Sequence, residues 1–401
     1  MRLRNRLDLK VIGFLLILFL VNKILILAPA FWATKQHLAG MGALDSLKFL
    51  LFNNFFKWDS GWYARIAEQG YDPKSSAFFP LYPFLIAMVR QLLDVTSATA
   101  GVLVSNVAFF LMLYVVYHLI RIDYEERDTR RILWLFCLYP TSYYFSAVYT
   151  ESLYLLLMAL TLYCIRIGNW AGAGISGFVT SITRNTGVFL TIPYALEYFK
   201  IRTWGDILPF LRRGFGNLGQ ANPGRKRWKG FLWVFVIPLS FFLYMGYLGC
   251  RFGDPFAFSH AQAQFGRGFL NPFATIVQGY QMLVNHLTAQ PLNWLWMYFF
   301  TEFFFVTLTL VVLLVTVRKL RLSYWVIILY AFLIPLTAPA TGRVVDYFVS
   351  YSRYSLVIFP LYLGIYELVK GNRLFYYATN LVFAVLLVIL VYNWSLDRWV
   401  A

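Results

Sequence analysis

The stretch VIGFLLILFLVNKILILAPAFW, Val11–Trp32, decides the fold class. It is an unbroken apolar run with one charge, Lys23, and it meets the roughly 20 residues that a helix needs to cross a bilayer. Arg2, Arg4, Arg6 and Lys10 precede it, which sets the N-terminus in the cytoplasm by the positive-inside rule. In outline the segment resembles a signal peptide. Its apolar part is too long for one and lacks a small-residue cleavage site, so a retained helix is expected. A charge inside a span is costly and needs a partner, so Lys23 is expected to have a structural role.

The rest of the chain repeats this chemistry. Of its 401 residues, 60% are hydrophobic and 13% are charged, against about 25% charged in an average soluble protein. Further apolar runs follow one another along the sequence, and the reading is an all-α polytopic membrane protein. The net charge of +17 raises the question of nucleic acid. The basic residues sit in loops between apolar runs, which fits topology and anionic headgroups instead, so no nucleic-acid partner is expected. Cys137, Cys164 and Cys250 are too few, and too apolar in setting, for a disulfide framework or a metal site. His37, His118, His260 and His286 lack ligand spacing. No metal or cofactor is expected.

Charge parity gives a map. Residues 33–98 form a first external loop, and Phe78 to Leu93 within it, with Pro80 and Pro83, lies on or dips into the surface rather than crossing. Thr99 to Ile120 goes in, Ile132 to Val148 comes out, and Leu153 to Ile167 goes in. Residues 171–199 then go out and back as two half-length helices around Thr183–Gly187. The next segment, 199–230, holds Lys200, Arg202, Arg212, Arg213, Arg225, Lys226, Arg227 and Lys229 against Asp206 alone, and so belongs in the cytoplasm. The alternative is one long span over 171–199 with the Phe78 run crossing as well. Residues 250–292 form a second external loop. Spans over 231–249, before that loop, and over 293–317, 323–339, 353–369 and 374–394, after it, complete about 11 membrane segments in one domain, 1–401.

The first polar stretch after Val11–Trp32 is NFFKWDSGWYARIA, Asn54–Ala67. Asp59 stands there among Trp58, Ser60, Trp62 and Tyr63. Aromatic rings stack on sugars, and a carboxylate beside such a platform can take a proton from a sugar hydroxyl. Two plainer readings compete: an interfacial aromatic loop, or Asp59 as the N-cap of a helix over Gly61–Ala67. The map brings Asp59, Glu68, Asp72, Glu151, Arg184, Asp254, His260, Arg267, Arg343, Asp346, Arg353 and Tyr354 to the outer face. Carboxylates with several arginines suit a sugar carried on a lipid phosphate: arginine holds the phosphate and a carboxylate activates the acceptor. The leaving group is already a phosphate and needs no general acid, so one base suffices, unlike the two carboxylates of a glycosidase.

Trp58–Tyr63 with Ile66, Ala67, Gly70 and Tyr71 resembles the signature of the PIG-V family. So do Phe78–Pro83, Tyr139–Thr141 with Phe145 and Ser146, Tyr149–Leu153, Arg184–Gly187, Phe252–Pro255, and Arg353 and Tyr354 before Phe359 and Pro360. The likeness runs from about residue 54 to 362 and is specific as an ordered set. PIG-V proteins are glycosylphosphatidylinositol mannosyltransferases with bacterial and archaeal relatives, in the GT-C class of membrane glycosyltransferases. The resemblance implies a GT-C fold and external juxtamembrane helices. It implies Asp59 as catalytic base, a polyprenyl-phosphate hexose donor, a glycan or lipid acceptor, inversion at the anomeric carbon and no metal. Short loops point to a prokaryotic member, for which the sugar and acceptor stay open.

On this reading Trp58, Ser60, Trp62, Tyr63, Glu151, Arg184, His260, Arg343, Arg353 and Tyr354 are the candidate substrate contacts. Each has a plainer alternative. Glu151 is also placed to cap the helix from Leu153, Arg184 to clamp backbone carbonyls, Arg353 to mark an interface, and His260 and Arg267 to belong to a solvated lid. A second function class remains open, a transporter or flippase of lipid-linked sugars.

Overall fold

In the computed structural model the described residues are 9–213, 226–289, 294–342 and 345–400. In chain order the helices are α1 (Leu9–Leu38), α2 (Ala43–Leu51), α3 (Ser60–Gln69), α4 (Leu81–Leu93), α5 (Ser97–Ile120), α6 (Glu126–Leu138), α7 (Glu151–Arg166), α8 (Trp170–Ser181), α9 (Thr191–Tyr198), α10 (Ile207–Arg213), α11 (Lys226–Leu232), α12 (Val236–Phe252), α13 (Ala257–Gln264), α14 (Pro272–Ala289), α15 (Trp294–Val315), α16 (Leu322–Leu336), α17 (Tyr351–Leu356), α18 (Phe359–Val369) and α19 (Arg373–Ser395). Two short strands, β1 (Ala340–Thr341) and β2 (Val345–Asp346), pair antiparallel with Ala340 opposite Asp346.

Five segments among the described residues are long and apolar enough to cross a membrane: Leu9–Leu38, Ser97–Ile120, Lys229–Phe252, Met297–Val315 and Arg373–Ser395. Leu81–Leu93, Leu322–Leu336 and Phe359–Val369 are apolar but shorter. The expected eleven segments therefore do not appear as eleven full-length helices, and proline accounts for two of the differences. The outward passage over 132–148 is helical only to Leu138. Pro140 follows Tyr139, and the residue before a proline is driven out of the α region. Tyr139–Thr150 then runs as fully buried chain outside any α-helix, with one 3₁₀ turn at Ser142–Phe145. Such backbone is tolerated at membrane depth only inside protein. Here Asn22 Nδ2 donates to Cys137 O at 2.8 Å, Val148 N donates to Phe55 O at 3.0 Å, and Lys23 Nζ bonds Ser146 Oγ. Lys23 also lies 4.6 and 5.2 Å from the rings of Phe19 and Phe109, so its expected structural role is met. The passage over 353–369 is likewise cut into α17 and α18, with Pro360 in the first turn of α18.

Residues 171–199 do form two short helices, α8 and α9, joined through a 3₁₀ turn at Asn185–Leu190. The single long span is excluded. Gly187 permits the joint, since a Cβ there would sit 2.7 Å from the Ser181 backbone. The 13 residues of α4 span about 20 Å, too short to cross. α4 returns antiparallel against α5, where Tyr82 OH bonds Ser105 Oγ at 2.6 Å.

The map's two sets of loops gather at opposite ends of the helices. At one end Arg166 pairs with Asp123 and donates to Tyr324 OH at 2.7 Å, Tyr124 OH donates to Glu367 at 3.2 Å, and Arg321 forks onto Glu197 at 2.9 and 2.7 Å. These are the basic loops expected inside. The other end collects segments 54–80, 146–152, 184–187, 338–354 and 394–399.

Candidate active site

Asp59 stands at the start of α3 with φ −59° and ψ −21°, and its carboxylate makes no capping bond. The N-cap alternative therefore does not describe it. Its Oδ2 accepts from Arg353 Nη1 at 2.8 Å. Arg353, only 8% exposed, places Nε 3.4 Å from Glu151 Oε1. The same oxygen accepts from Arg184 Nη1 at 3.1 Å. The result is a row of alternating charge, Asp59–Arg353–Glu151–Arg184, drawn from four separate segments. Glu151 is 1% exposed and opens α7, so it faces the positive end of that helix as well as two guanidinium groups. Arg184 clamps a carboxylate rather than backbone carbonyls.

Phenol rings wall this row. Tyr149, Tyr354 and Tyr144 lie 5.2, 5.4 and 5.8 Å from the Arg353 guanidinium, and Tyr154 and Tyr354 each lie 5.5 Å from that of Arg184. Tyr149 OH donates to Lys57 O at 3.2 Å and accepts from Asp59 N at 3.3 Å. Tyr63, one turn into α3, packs edge-on against Phe78 and Tyr82 at 5.1 and 5.0 Å. Burial pushes its phenol pKa up, and the charges of Glu151 and Asp59 add to the rise. Two buried polar atoms in the row lack a hydrogen bond, Glu151 Oε2 and Arg353 Nε. Unfilled buried polar atoms are rare in folded proteins and call for an explanation.

The residues flanking Asp59 divide between structure and surface. Trp58 adopts φ 48°, a strained conformation for a bulky side chain that costs roughly 1–3 kcal/mol. The C-terminal end of α19 holds it there. Trp58 packs edge-on against Trp394 and Trp399 at 4.4 and 5.3 Å. Trp394 Nε1 donates to Asn54 O at 2.7 Å, and Lys57 Nζ reaches Trp394 O at 2.8 Å and Asp397 Oδ1 at 2.6 Å. Ser60 is buried and its Oγ accepts from Lys57 N at 3.1 Å, closing the turn. Trp62 stacks on Phe78 at 5.9 Å, with Lys74 5.2 Å from its ring.

Not every expected contact joins the cluster. His260 is exposed and pairs through Nδ1 with Asp254 Oδ2 at 2.7 Å. That bond holds the Asp254 carboxyl below its ordinary pKa range. No contact among the described residues links this pair to Asp59. Arg267 Nη1 donates to Ala338 O at 3.0 Å, beside the β1–β2 pair, and its charge also acts on the Tyr354 phenol, so it borders the row without pairing with its carboxylates. Glu68 accepts from Ser97 Oγ at 2.5 Å, and Asp72 pairs with Arg65 at 2.6 Å. Arg343 lies outside the described residues. Sequence reasoning missed Lys57, Trp394 and Trp399, whose only signal was the aromatic end of the last apolar run. It also missed Glu302, a lone acid inside the apolar run of α15.

A family model described as mannosyltransferase (PIG-V) matches residues 8–248. That region includes Asp59, Glu151 and Arg184 and ends before Arg353. The human protein GPI alpha-1,6-mannosyltransferase 2 (Homo sapiens) is 26% identical to this chain over 239 residues, 55% of this chain and 46% of the human protein. The chain thus spans about half the length of that curated relative. Among solved structures, an Archaeoglobus fulgidus oligosaccharyltransferase tethered to an acceptor peptide matches with TM-score 0.45 and 13% identity, over 97% of this chain and 55% of that one. A likeness of that size carries no argument. The family match alone covers more than half of the sequence, and the chain belongs to the mannosyltransferase (PIG-V) family.

Proposed function

We propose that this protein is an integral-membrane hexosyltransferase of the GT-C class. It moves a hexose, mannose by family analogy, from a polyprenyl-phosphate donor to a glycan or lipid acceptor. The observation that carries the reading is the Asp59 carboxylate held 2.8 Å from the Arg353 guanidinium, in a site that continues through Glu151 to Arg184. Family membership supports the reaction class. The gathering of Asp59 at the end opposite the basic loops supports an extracytoplasmic site and a cytoplasmic N-terminus.

The chemistry follows from the arrangement. The acceptor oxygen attacks the anomeric carbon while the bond from that carbon to the phosphate oxygen breaks, with inversion. The bonding pair leaves with the phosphate, and the acceptor proton goes to Asp59. Asp59 Oδ2 is engaged by Arg353, whereas no hydrogen bond to Oδ1 is present among the described residues. Oδ1 is therefore the oxygen assigned to take the proton. Arg353 and Arg184 neutralise the departing phosphate by charge-assisted bonds. Trp62 and the tyrosines offer faces for the sugar. The reaction so written calls for no metal or cofactor.

The test is to supply the purified protein with radiolabelled polyprenyl-phosphate mannose, glucose and arabinose in separate reactions with a membrane extract. Transfer of one label to a glycan or lipid is the expected result. No transfer of any label, with the donors bound, overturns the reading.

A further inference from the structure

The turn that carries Arg353 and Tyr354 cannot hold itself. α17 has six residues and is preceded by Ser350 at φ 59°. A helix this short is marginal alone, and its first amides lack intrahelical acceptors. Glu302 reaches it from α15. Glu302 Oε2 accepts from Ser352 N at 2.7 Å, and Oε1 accepts from Ser352 Oγ at 2.7 Å. Glu302 is 1% exposed, so these two bonds answer a burial cost that is otherwise heavy. The same turn is tied elsewhere by Thr141 Oγ1 to Ser352 O at 3.1 Å and by Tyr139 OH to Ser355 Oγ at 2.8 Å. Beside Glu302, a cavity of ≈ 20 Å³ is also lined by Asp346 and Phe348, with room for about one water. The reaction written above makes no use of Glu302, yet the residue after Ser352 is the one that holds Asp59.

We propose that Glu302 is a positioning residue of the Asp59 site. It fixes Ser352 from the neighbouring span, and through that turn it sets the Arg353 guanidinium between Asp59 and Glu151. The kinetic consequence rests on the transferase reading; the structural consequence does not.

Two readouts on the full chain in detergent test this. The first is backbone hydrogen exchange over residues 351–356. The second is mannose transfer from polyprenyl-phosphate mannose. Glu302→Ala speeds exchange over 351–356 and raises the donor KM about tenfold, the order expected from losing the two hydrogen bonds to Ser352, with a smaller change in kcat. Glu302→Gln restores both, because its amide oxygen accepts from Ser352 N while its NH2 donates to Ser352 Oγ. In an Arg353→Ala background, Glu302→Ala adds no further loss of transfer. If Glu302→Ala does not fold, Ser352→Ala, which deletes only the hydroxyl bond, gives the same pattern at lower amplitude. Unchanged exchange over 351–356, or an equal loss of transfer with and without Arg353, overturns the proposal. A wild-type chain that transfers no hexose overturns the transferase reading instead, and exchange still decides the role of Glu302.

Discussion

Replacing Arg353 by alanine removes the one cation among the described residues that touches both Asp59 and Glu151. Breaking a buried ion pair from one side costs about 3–5 kcal/mol, because the other charge stays behind unpaired. Two features of the site lower that figure. Glu151 keeps Arg184 at 3.1 Å, and the Asp59 side chain is 28% exposed, so water answers part of its lost bond. The expected loss is therefore about 2–4 kcal/mol. At about 2.1 cal/mol/K per residue, unfolding 401 residues carries an entropy of roughly 0.8 kcal/mol/K. The thermal midpoint should fall by about 2–5 °C in detergent, measured by intrinsic fluorescence. The second arm is Asp59→Asn in the Arg353→Ala background. Removing the stranded carboxylate should recover part of the loss, a coupling that distant sites do not show. An unchanged midpoint in Arg353→Ala, or a further drop on adding Asp59→Asn, refutes the charge row as described.

Other outcomes follow from the packing around the site. Trp394→Ala should cost about 3–5 kcal/mol and release the strained Trp58, lowering transfer along with the thermal midpoint. Trp394→Phe keeps most of the packing and loses only the bond to Asn54 O, for about 1 kcal/mol in the same melt. At Gly101, an added Cβ would meet Val148 Cγ1 at 2.4 Å, next to Tyr149. Gly101→Ala should destabilise by about 1–3 kcal/mol through overpacking, and Val148→Ala in the same chain should recover much of it.

What the sequence made legible follows physical lines. Asp59 was readable because a lone carboxylate among Trp58, Trp62 and Tyr63 breaks an apolar pattern. The α8–α9 pair was readable because the Gly-rich run before the basic loop left room for two short helices and parity required them. Tyr139–Val148 differs from the expected end of a span because apolar composition does not separate buried non-α chain from helix; Pro140 is the signal. The grip of Trp394 and Asp397 on Lys57 and Trp58 joins residues more than 300 apart, and no local pattern encodes it. Glu302 was passed over inside an apolar run, although an ionisable group at membrane depth is costly enough to demand a reason. His260 pairs with Asp254 rather than with a member of the Asp59 row, a partner that the loop's sequence did not single out.

The central claim is that Asp59 takes the acceptor proton. Reconstituted Asp59→Asn, assayed for labelled mannose transfer from polyprenyl-phosphate mannose beside the wild type, tests it directly. The expected result is a fall in turnover of about 10²–10⁴-fold with the donor still bound, the usual worth of a positioned base. Turnover equal to wild type would contradict the assignment and require that another group take the acceptor proton.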